Sequence, residues 1–347
     1  MSRWVESLEE QATELLPDAV QRYLRQGARD GVTAAEAVAA WDRYRFRPQV
    51  LRDVTHIDTS TAALGTPLGS PIAVAPTTLQ RAAHPEGEVA MARGVSEVGS
   101  LLVVSSNAGR TFEEIAAMGV SWWLQAYLTA DRNASVPLLR RAAEAGARAI
   151  VLTVDTPVVG TKYDAGQTVW DVADPAWLRV NFRDPTVQSP EPVPEKATDL
   201  GPGDIGWLRE VTGLPVVVKG VLRADDARRC VEAGASAVWV SNHGGRQLDY
   251  TAATARCLGP VADEIGSEVP VYVDGGVRSA RHVLAAVALG ARAVFLGRLP
   301  LYALAAQGSV GVQRLLVDLA DELAEAMRLA GCPDLAAVAG AELTELA

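Results

Sequence analysis

The sequence predicts an α/β fold, namely a (β/α)8 barrel with an N-terminal helical extension and a long loop after the fourth strand. Short aliphatic strands recur along the chain, and several follow a helical pattern that ends at a glycine, as in EAGARAIVLTVD (144–155) and EAGASAVWVSN (232–242). Strands that are apolar throughout and alternate with helices are typical of a parallel sheet with both faces covered. Eight such strands are predicted, at residues 71–76, 101–106, 122–127, 149–155, 215–220, 237–242, 270–275 and 293–297.

The number of strands decides between two arrangements of a parallel sheet. Eight strand–helix units in roughly 230 residues match a closed TIM barrel, which typically takes about 250 residues. The alternative, an open doubly wound sheet, usually has fewer strands and carries a G-x-G-x-x-G motif after the first of them. Here the first strand is followed by Pro76, Thr77 and Thr78, without that motif. We therefore predict a single barrel domain over residues 1–347.

Two further segments frame the predicted barrel. Residues 1–55 are predicted to be largely helical, and Thr33 followed by Glu36 indicates an N-cap for a helix over residues 34–44. Residues 156–202 form one long gap between strands that is rich in proline and polar residues. A connection of that length is uncommon unless it is functional, so we predict an active-site loop or lid.

The composition excludes several classes of function. The chain has 347 residues and a formal net charge of -10, which argues against nucleic acid or an anionic membrane as a partner. No apolar run reaches the ~18 residues of a membrane span, and acidic residues near the N-terminus argue against a secretory signal. The three cysteines lack metal-site spacing and indicate reduced thiols in a cytoplasmic protein, and the four histidines are too scattered to predict a metal site.

The stretch from Ala237 to Asp249 combines a buried strand with a polar end. The apolar residues AVWV give way to SNHGGR, which places His243 and Arg246 three positions apart. Histidine exchanges a proton near neutral pH, and arginine binds a carboxylate through two parallel hydrogen bonds. A base beside a carboxylate-binding cation indicates chemistry on a small acid. The alternative is that His243 and Arg246 are solvated side chains of a surface turn.

Polar residues stand at the ends of all eight predicted strands. In a barrel of this type the C-terminal ends of the strands meet at one face, where the active site lies. A purely structural barrel has no need of such a ring, so these residues are candidates for a site. They are Thr77, Thr78, Ser105, Asn107, Gln125, Tyr127, Thr153, Asp155, Lys219, Ser241, His243, Arg246, Asp274, Arg278, Gly297 and Arg298.

The last two strands end in glycine and arginine. DGGVRS (274–279) and FLGR (295–298) provide Gly276 with Arg278 and Gly297 with Arg298. Barrels commonly bind a phosphate at this place, through backbone N–H groups and a helix N-terminus. The residues alone therefore predict a phosphorylated ligand, which can be a substrate or a cofactor. The alternative is that these glycines only permit tight turns and bind no ligand.

Several motifs together resemble a known family. SNHGGRQLD occurs with PTTLQRAAHPEGE, LQAYL, LTVDTP, VVKGV, DGGVRS and FLGR in the same order as in the FMN-dependent α-hydroxy-acid oxidases and dehydrogenases, which oxidise glycolate, lactate or mandelate. The resemblance extends from about residue 17 to 332. It implies FMN as cofactor, a small 2-hydroxy acid as substrate, O2 or another electron acceptor, and a homo-oligomer, tetrameric or larger.

The resemblance also implies roles for individual residues. His243 would take a proton from the α-carbon or hydroxyl of the substrate, and Asp155 would orient its ring. Arg246 and Tyr23 would bind the substrate carboxylate, and Tyr127 its hydroxyl. The residues implied to contact the flavin ring and ribityl chain are Thr77, Thr78, Ser105, Gln125, Thr153, Lys219, Ser241 and Asp274, and those implied to bind the phosphate are Gly276, Arg278, Gly297 and Arg298.

Three residues depart from the family pattern. Lys162 stands where a second carboxylate-binding arginine is usual, Asn107 replaces an aromatic residue, and Thr78 replaces a small residue beside the flavin. Lysine keeps the charge but loses the planar two-pronged contact of arginine. We therefore predict a larger or aromatic, mandelate-like acid as substrate, and a Thr78 side chain that could slow reoxidation by O2. Two alternatives stay open. One is an FMN barrel that oxidises or rearranges a different α-substituted or peptide-derived substrate, and the other is an inactive barrel retained for binding.

Overall fold

The computed structural model describes residues 3–163, 167–182 and 195–346. Its N-terminal part contains three helices and three short strands. The hydrophobic residues of the first two helices recur on one face, which packs onto the rest of the chain. The elements are α1 (Arg3–Leu15), α2 (Asp18–Arg25), α3 (Val32–Trp41), β1 (Tyr44–Phe46), β2 (Thr61–Ala63) and β3 (Thr66–Leu68).

The centre of the fold is a closed barrel of parallel strands, as the sequence predicts. Each strand pairs with the next along the chain, and the last pairs with the first through Phe295 and Ala73. Seven of the eight strands end one or two residues earlier than predicted, because the polar residues after them leave the hydrogen-bonded ladder, whereas the fifth strand continues one residue further, to Val221. The barrel strands are β4 (Ile72–Val74), β5 (Leu101–Ser105), β6 (Ser121–Ala126), β7 (Ile150–Thr153), β8 (Val216–Val221), β9 (Ala237–Val240), β10 (Val271–Val273) and β11 (Ala293–Leu296).

Helices follow the barrel strands and cover the outside of the sheet. The longest of them is interrupted at Gln307 and Gly308, where the backbone is not helical. A final short strand pairs antiparallel with β1 and ties the two ends of the described chain together. These elements are α4 (Gln80–Ala83), α5 (Glu88–Ser96), α6 (Phe112–Ala116), α7 (Val136–Glu144), α8 (Gly203–Thr212), α9 (Ala224–Glu232), α10 (Thr254–Ile265), α11 (Ala280–Ala288), α12 (Arg298–Ala330), α13 (Leu335–Ala339) and β12 (Leu343–Glu345).

Alternate residues of the strands form two apolar layers. One set points outward and packs against the helices, and the other fills the inside of the barrel. Within the described chain, the inside layer contains four aromatic side chains, and the rings of two of them, Trp239 and Phe295, lie 3.9 Å apart between centroids. Trp123 and Tyr272 are fully buried in the same layer. This layer forms the floor beneath the polar strand ends.

The N-terminal helices lie beside the barrel mouth. The N–H of Ala28 donates to the carbonyl of Gly245 at 2.8 Å. The predicted N-cap at Thr33 is wrong, since α3 begins at Val32 after Gly31, whose φ is +75°. The Asp249 carboxylate accepts the N–H groups of Val32 and Thr33 at 3.3 and 2.9 Å, so a distant side chain caps this helix.

The long connection after β7 crosses the mouth in the part that the structure describes. Residues 164–166 and 183–194 of the predicted loop at 156–202 lie outside the described residues. The described part contains two 3-10 turns, Val169–Asp171 and Pro175–Arg179. Its Trp170 ring lies 6.5 Å from the ring of Tyr23 on α2. Its function as a lid stays a prediction. None of the helices within the described ranges has the length and apolar character that a membrane crossing requires.

Candidate active site

A cavity of about 1590 Å³ opens where the barrel strands end. All of the residues predicted to form a site line it, except Asp155 and Ser241. These two lie behind the wall, where each supports a residue that does face the cavity. The structure therefore brings the predicted residues together at one place, although they come from segments spread over residues 23–298.

The pair of His243 and Asp155 forms one side of the cavity. His243 Nδ1 lies 2.9 Å from Asp155 Oδ1, and the Thr156 hydroxyl donates to the same oxygen at 2.9 Å. Burial raises the pKa of Asp155, but the charge and hydrogen bond of His243 outweigh it and hold the pKa at about 2. The carboxylate is therefore ionised at neutral pH and fixes the histidine ring through Nδ1, which leaves Nε2 for a ligand.

The backbone after β9 is shaped to present this histidine. His243 has a φ of +57°, which is uncommon for a residue with a side chain, and Gly244 and Gly245 follow with positive φ as well. A Cβ on Gly245 would lie 2.5 Å from the N atom of Ala34, so only glycine permits this approach to α3. Gly245 thus lets the turn after β9 contact the N-terminal helix α3 closely.

Arg246 and Tyr23 lie next to each other at the mouth. The Arg246 guanidinium donates to the carbonyls of Tyr23 and Gln26, both at 2.8 Å, and its Cζ lies 4.8 Å from the centroid of the Tyr23 ring. These bonds use one end of the guanidinium, and the remaining N–H groups can accept an anion. The Tyr23 hydroxyl lies 3.1 Å from the Thr78 hydroxyl. This corner can bind a carboxylate.

Lys219, Asp274 and Ser241 form a buried charged group beneath the cavity. Lys219 Nζ lies 3.0 Å from Asp274 Oδ2 and donates to the Ser241 hydroxyl at 2.7 Å. Asp274 Oδ1 is buried and has no hydrogen-bond partner among the described residues. Because an unpaired buried carboxylate oxygen is costly, it marks a place for a donor from a ligand such as a hydroxyl group.

A chain of hydrogen bonds joins the ends of β5, β6 and β7. The Ser105 hydroxyl donates to Gln125 Oε1 at 3.1 Å, and Gln125 Nε2 donates to the Thr153 hydroxyl at 3.0 Å. The Asn107 N–H donates to Ser105 at 3.1 Å. At the end of β4 the Thr77 hydroxyl accepts a bond from Gln80 at 3.1 Å. These bonds fix a polar wall that can contact a heterocycle with several donors and acceptors.

Two arginines dominate the opposite end of the cavity. Arg278 donates to its neighbouring carbonyl of Val277 and Arg298 to that of Gly244, and neither contacts a carboxylate among the described residues. Burial lowers the pKa of both, and for Arg298 the charges of Arg278 and Arg246 add to this and bring the pKa to about 10. Two adjacent cations without an acidic partner fit a doubly charged anion such as a phosphate.

The loop that carries Arg278 rests on a histidine whose role the sequence did not indicate. His282 Nδ1 accepts the Arg278 N–H at 3.1 Å, and its Nε2 lies 2.9 Å from Asp42 Oδ1. A Cβ on Gly276 in this loop would lie 2.1 Å from the carbonyl oxygen of Ala37. Only glycine at position 276 therefore lets this loop approach α3 so closely.

Lys162 and Asn107 stand at the rim of the cavity. The Lys162 ammonium donates to the carbonyls of Gly160 and Arg246 at 2.7 and 2.9 Å. It therefore adds positive charge beside the Arg246 corner while holding the backbone of the loop. The Asn107 amide oxygen accepts a bond from Ser106 at 3.1 Å, so its NH2 group can face a ligand.

The sequence motifs did not single out two further residues of the cavity, Thr156 and Lys196. Thr156 bonds to Asp155 and lies 3.3 Å from His243 Nδ1, so it completes the support of the histidine. Lys196 lines the cavity with its ammonium 3.8 Å from the centroid of the Tyr127 ring. One sequence signal could have found Lys196, since the chain contains only three lysines and the other two were already candidates.

Comparisons with known proteins agree with this arrangement. Residues 12–345 match the family described as FMN-dependent dehydrogenase. The chain is 41% identical over 334 residues to glycolate oxidase 3 of Arabidopsis thaliana, covering 93% of this chain and 91% of that protein. It is 40% identical over 347 residues to 2-hydroxyacid oxidase 1 of Homo sapiens, covering 95% and 93% respectively.

Solved structures give the same likeness in three dimensions. A mandelate oxidase variant with (S)-mandelic acid has a TM-score of 0.90 and 37% identity, covering 99% of this chain and 98% of that chain. Mandelate oxidase with benzoyl-formic acid has a TM-score of 0.89 and 37% identity, covering 98% of each chain. The likeness therefore extends over the barrel, the N-terminal helices and the described part of the long loop.

Proposed function

Because the chain belongs to the family of FMN-dependent dehydrogenases, we propose that it oxidises an L-2-hydroxy acid to the 2-oxo acid, with His243 as the base. FMN-dependent oxidation of 2-hydroxy acids makes it an oxidoreductase, in line with its glycolate and 2-hydroxyacid oxidase relatives. The observation that carries the proposal is the His243–Asp155 pair beside Arg246 in one cavity.

The order of the residues along the cavity matches the parts of FMN, from the phosphate through the ribityl chain to the flavin ring. Arg278 and Arg298 would hold the phosphate next to Gly276 and Gly297, and the unpaired Asp274 Oδ1 would accept from a ribityl hydroxyl. When it is bound, FMN supplies the two-electron acceptor, and O2 or another acceptor then takes the electrons, giving hydrogen peroxide in the case of O2. The residues that would contact the ring are Thr77, Thr78, Ser105, Gln125, Thr153 and Lys219, with Ser241 behind Lys219.

The other side of the cavity would hold the substrate. Arg246 and Tyr23 would bind its carboxylate, and the Tyr127 hydroxyl would donate to the oxygen on C2. Burial raises the pKa of Tyr127 above its ordinary value, so the phenol keeps its proton as a donor. His243 Nε2 would take a proton from the α-carbon or the hydroxyl, and the negative charge of Asp155 would stabilise the resulting imidazolium.

The electrons and protons that leave the substrate determine the role of each residue. Oxidation of the alcohol to the ketone removes two electrons and two protons from the substrate. One proton would go to His243, and the second proton would accompany the two electrons to the flavin acceptor. The negative charge that develops on the C2 oxygen would be stabilised by Tyr127 and Arg246. Lys219, held by Asp274 at 3.0 Å, would stabilise negative charge on the acceptor.

The rim residues support a substrate larger than glycolate. Asn107 provides an amide where the family resemblance implies an aromatic side chain, and the Lys162 ammonium donates to the carbonyls of Gly160 and Arg246. Two of the similar solved structures contain mandelic acid or benzoyl-formic acid. We propose an aromatic, mandelate-like acid as the first candidate. Lysine at position 162 lacks the planar two-pronged contact of the arginine that the resemblance implies, which favours a second candidate function, oxidation or rearrangement of a different α-substituted or peptide-derived substrate.

An anaerobic spectrum tests this function. The purified protein, loaded with FMN, is recorded before and after addition of glycolate, L-lactate and L-mandelate. We expect the flavin absorbance to bleach with at least one acid, most rapidly with L-mandelate, and to return when air is admitted. A flavin band that none of these acids bleaches would favour the second candidate function. Absence of a flavin band after reconstitution with FMN would overturn the assignment.

Assembly and location are further parts of the proposal. We infer a homo-oligomer, tetrameric or larger, in the cytoplasm. Cys230, Cys257 and Cys332 are free thiols, which suits a reducing compartment. Light scattering coupled to size exclusion gives the number of subunits, and a single-chain mass would contradict an oligomer. Fractionation of the source cells tests the compartment.

A further inference from the structure

Lysine is almost absent from this chain, and its few copies are concentrated at one place. The sequence contains three lysines among 32 basic residues, and the other 29 are arginines. All three, Lys162, Lys196 and Lys219, line the active-site cavity. Elsewhere the chain uses arginine wherever a positive charge is present. Lysine differs by a compact ammonium group whose pKa shifts readily on burial, so its restriction to the cavity indicates a chemical task.

The backbone around Lys196 holds the side chain in place. The N–H of Ala130 donates to the Glu195 carbonyl at 2.7 Å, and the N–H of Ala197 donates to the Leu128 carbonyl at 2.9 Å. Lys196 and Thr129 form an antiparallel bridge between these two bonds. The segment that carries Lys196 is therefore fixed to the residues after β6, and β6 ends directly before Tyr127.

The Lys196 ammonium contacts two parts of the proposed catalytic group. It lies 3.8 Å from the centroid of the Tyr127 ring and donates to the Thr156 carbonyl. Thr156 is also the residue whose hydroxyl bonds to Asp155. Among the described residues, the titratable groups that act on Lys196 include the Tyr127 phenol and the Asp155 carboxylate, and His243 lies behind that carboxylate.

We propose that Lys196 is a positioning residue for Tyr127, whose phenol it makes a stronger hydrogen-bond donor toward the oxygen on substrate C2. The inference rests on the proposed function, because Tyr127 has this task only in a 2-hydroxy acid oxidase. A cation on the face of a phenol stabilises negative charge that develops on its oxygen. The benefit is greatest in the transition state, when the C2 oxygen changes its charge.

A purely structural role for Lys196 makes a different prediction. In that case the ammonium only ties the loop to β6 and β7. Its removal would then lower kcat/KM equally with Tyr or Phe at position 127. Replacing Tyr127 by Phe keeps the ring and removes the hydroxyl. The hydroxyl therefore separates the two roles, because a structural contact survives its removal and an effect on the phenol does not.

The test is a double-mutant cycle on kcat/KM with L-mandelate, using FMN-loaded protein. We expect Lys196→Met to lower kcat/KM about tenfold in the native background, the size of a partly desolvated cation–π contact. In the Tyr127→Phe background the same change should cost less than about twofold. Equal losses in both backgrounds would overturn the proposal. Lys196→Arg, which keeps the charge over the ring, should retain most of the activity, and a loss as large as in Lys196→Met would also contradict it.

The pH profile gives a second readout that a structural role would not change. Burial lowers the pKa of Lys196 to about 8, although the charge of Asp155 opposes the shift. The ammonium is charged below this pKa, so kcat/KM should fall as the pH rises above about 8. This alkaline decline should be absent in Lys196→Met and move well above pH 8 in Lys196→Arg. A decline that persists unchanged in both variants would assign it to another group.

A matched control comes from a second cation over an aromatic ring. Arg314 lies 4.2 Å from the centroid of the Trp4 ring, and neither residue lines the cavity. Arg314→Met should leave kcat/KM and its pH profile unchanged.

The wild-type protein is assayed first, so that failure of the proposed function can be told apart from failure of the inference about Lys196. Lack of turnover of any 2-hydroxy acid would overturn the proposed function and this inference together, whereas normal turnover without coupling between Lys196 and Tyr127 would overturn the inference alone.

Discussion

The two ends of the active-site cavity are built in different ways. The end that would hold the FMN phosphate comes from the segments after two adjacent strands, β10 and β11, and Gly276 lets one of them approach α3 closely. The end that would hold the substrate is assembled from side chains of six separate segments, at Tyr23, Asn107, Tyr127, Lys162, Lys196 and the pair His243 and Arg246. Changes at the first end should therefore alter cofactor affinity, and changes at the second should alter turnover.

The largest effect is expected at the base. His243→Asn should lower kcat by about 10²- to 10⁴-fold, the range for loss of a general base, while FMN affinity stays unchanged. Asparagine is chosen because it tolerates the positive φ of this residue. Anaerobic stopped-flow reduction of the flavin gives the rate. A rate within tenfold of the native value would mean that another group removes the proton.

A pair of glycine variants separates backbone shape from phosphate contact. Gly276→Ala places a methyl group 2.1 Å from the Ala37 carbonyl at a φ of +78°, so we expect the free energy of unfolding of the apoprotein to fall by about 3 kcal/mol. Gly297→Ala meets no atom within 4 Å and should leave that free energy unchanged, although its methyl group should weaken FMN binding. Urea denaturation and flavin titration measure the two quantities. Equal destabilisation in both variants would contradict the distinction.

Replacing one phosphate-binding arginine tests the cofactor end directly. Arg298→Met should weaken FMN binding by about 10- to 150-fold, which corresponds to loss of a charge-assisted hydrogen bond of about 1.5–3 kcal/mol. Riboflavin lacks the phosphate, so its affinity should hardly change and serves as the control. Fluorescence titration of the apoprotein with both flavins makes the comparison. Parallel weakening of both would mean that Arg298 contacts the ring or supports the barrel instead.

The Asp155 carboxylate should make the free energy of unfolding depend on pH in the acidic range. Its pKa is held at about 2, below the ~3.9 of an unfolded chain, so the carboxylate contributes roughly 2 kcal/mol at neutral pH. This contribution is present above about pH 4 and is lost as the pH falls toward 2. Asp155→Asn should therefore be less stable at pH 7 but lose less stability between pH 4 and pH 2. Denaturation at both pH values checks this, and parallel pH curves for the two proteins would contradict it.

The smallest effect is expected at the rim and concerns substrate choice. Asn107→Trp and Lys162→Arg restore the residues usual in relatives, so turnover of glycolate and lactate should rise severalfold relative to mandelate. The binding of FMN should not change, because neither residue belongs to the cofactor end. Steady-state kinetics with the three acids give the ratio. Unchanged turnover of glycolate and lactate in both variants would remove these two residues from the control of specificity.

Much of the fold was open to prediction because its pattern is local. Each barrel strand is a short apolar run, seven of the eight follow a helix, and all eight were located from that repeat. The polar residues that follow the strands could be assigned to one face, since parallel strands in a closed barrel all point the same way. The prediction did not separate the residues that line the cavity from Asp155 and Ser241, which support the wall from behind.

The sequence by itself therefore determined the barrel, the ring of polar strand ends and the family motif around His243. Only the tertiary structure decided which distant segments complete the site. Asp249 caps α3, Asp42 holds His282 under the Arg278 loop, and Lys196 reaches Tyr127. These contacts join residues more than 60 positions apart, between which no periodic pattern runs. Periodicity reports which face of an element is buried, whereas the contact of two loops depends on how the closed barrel brings them together.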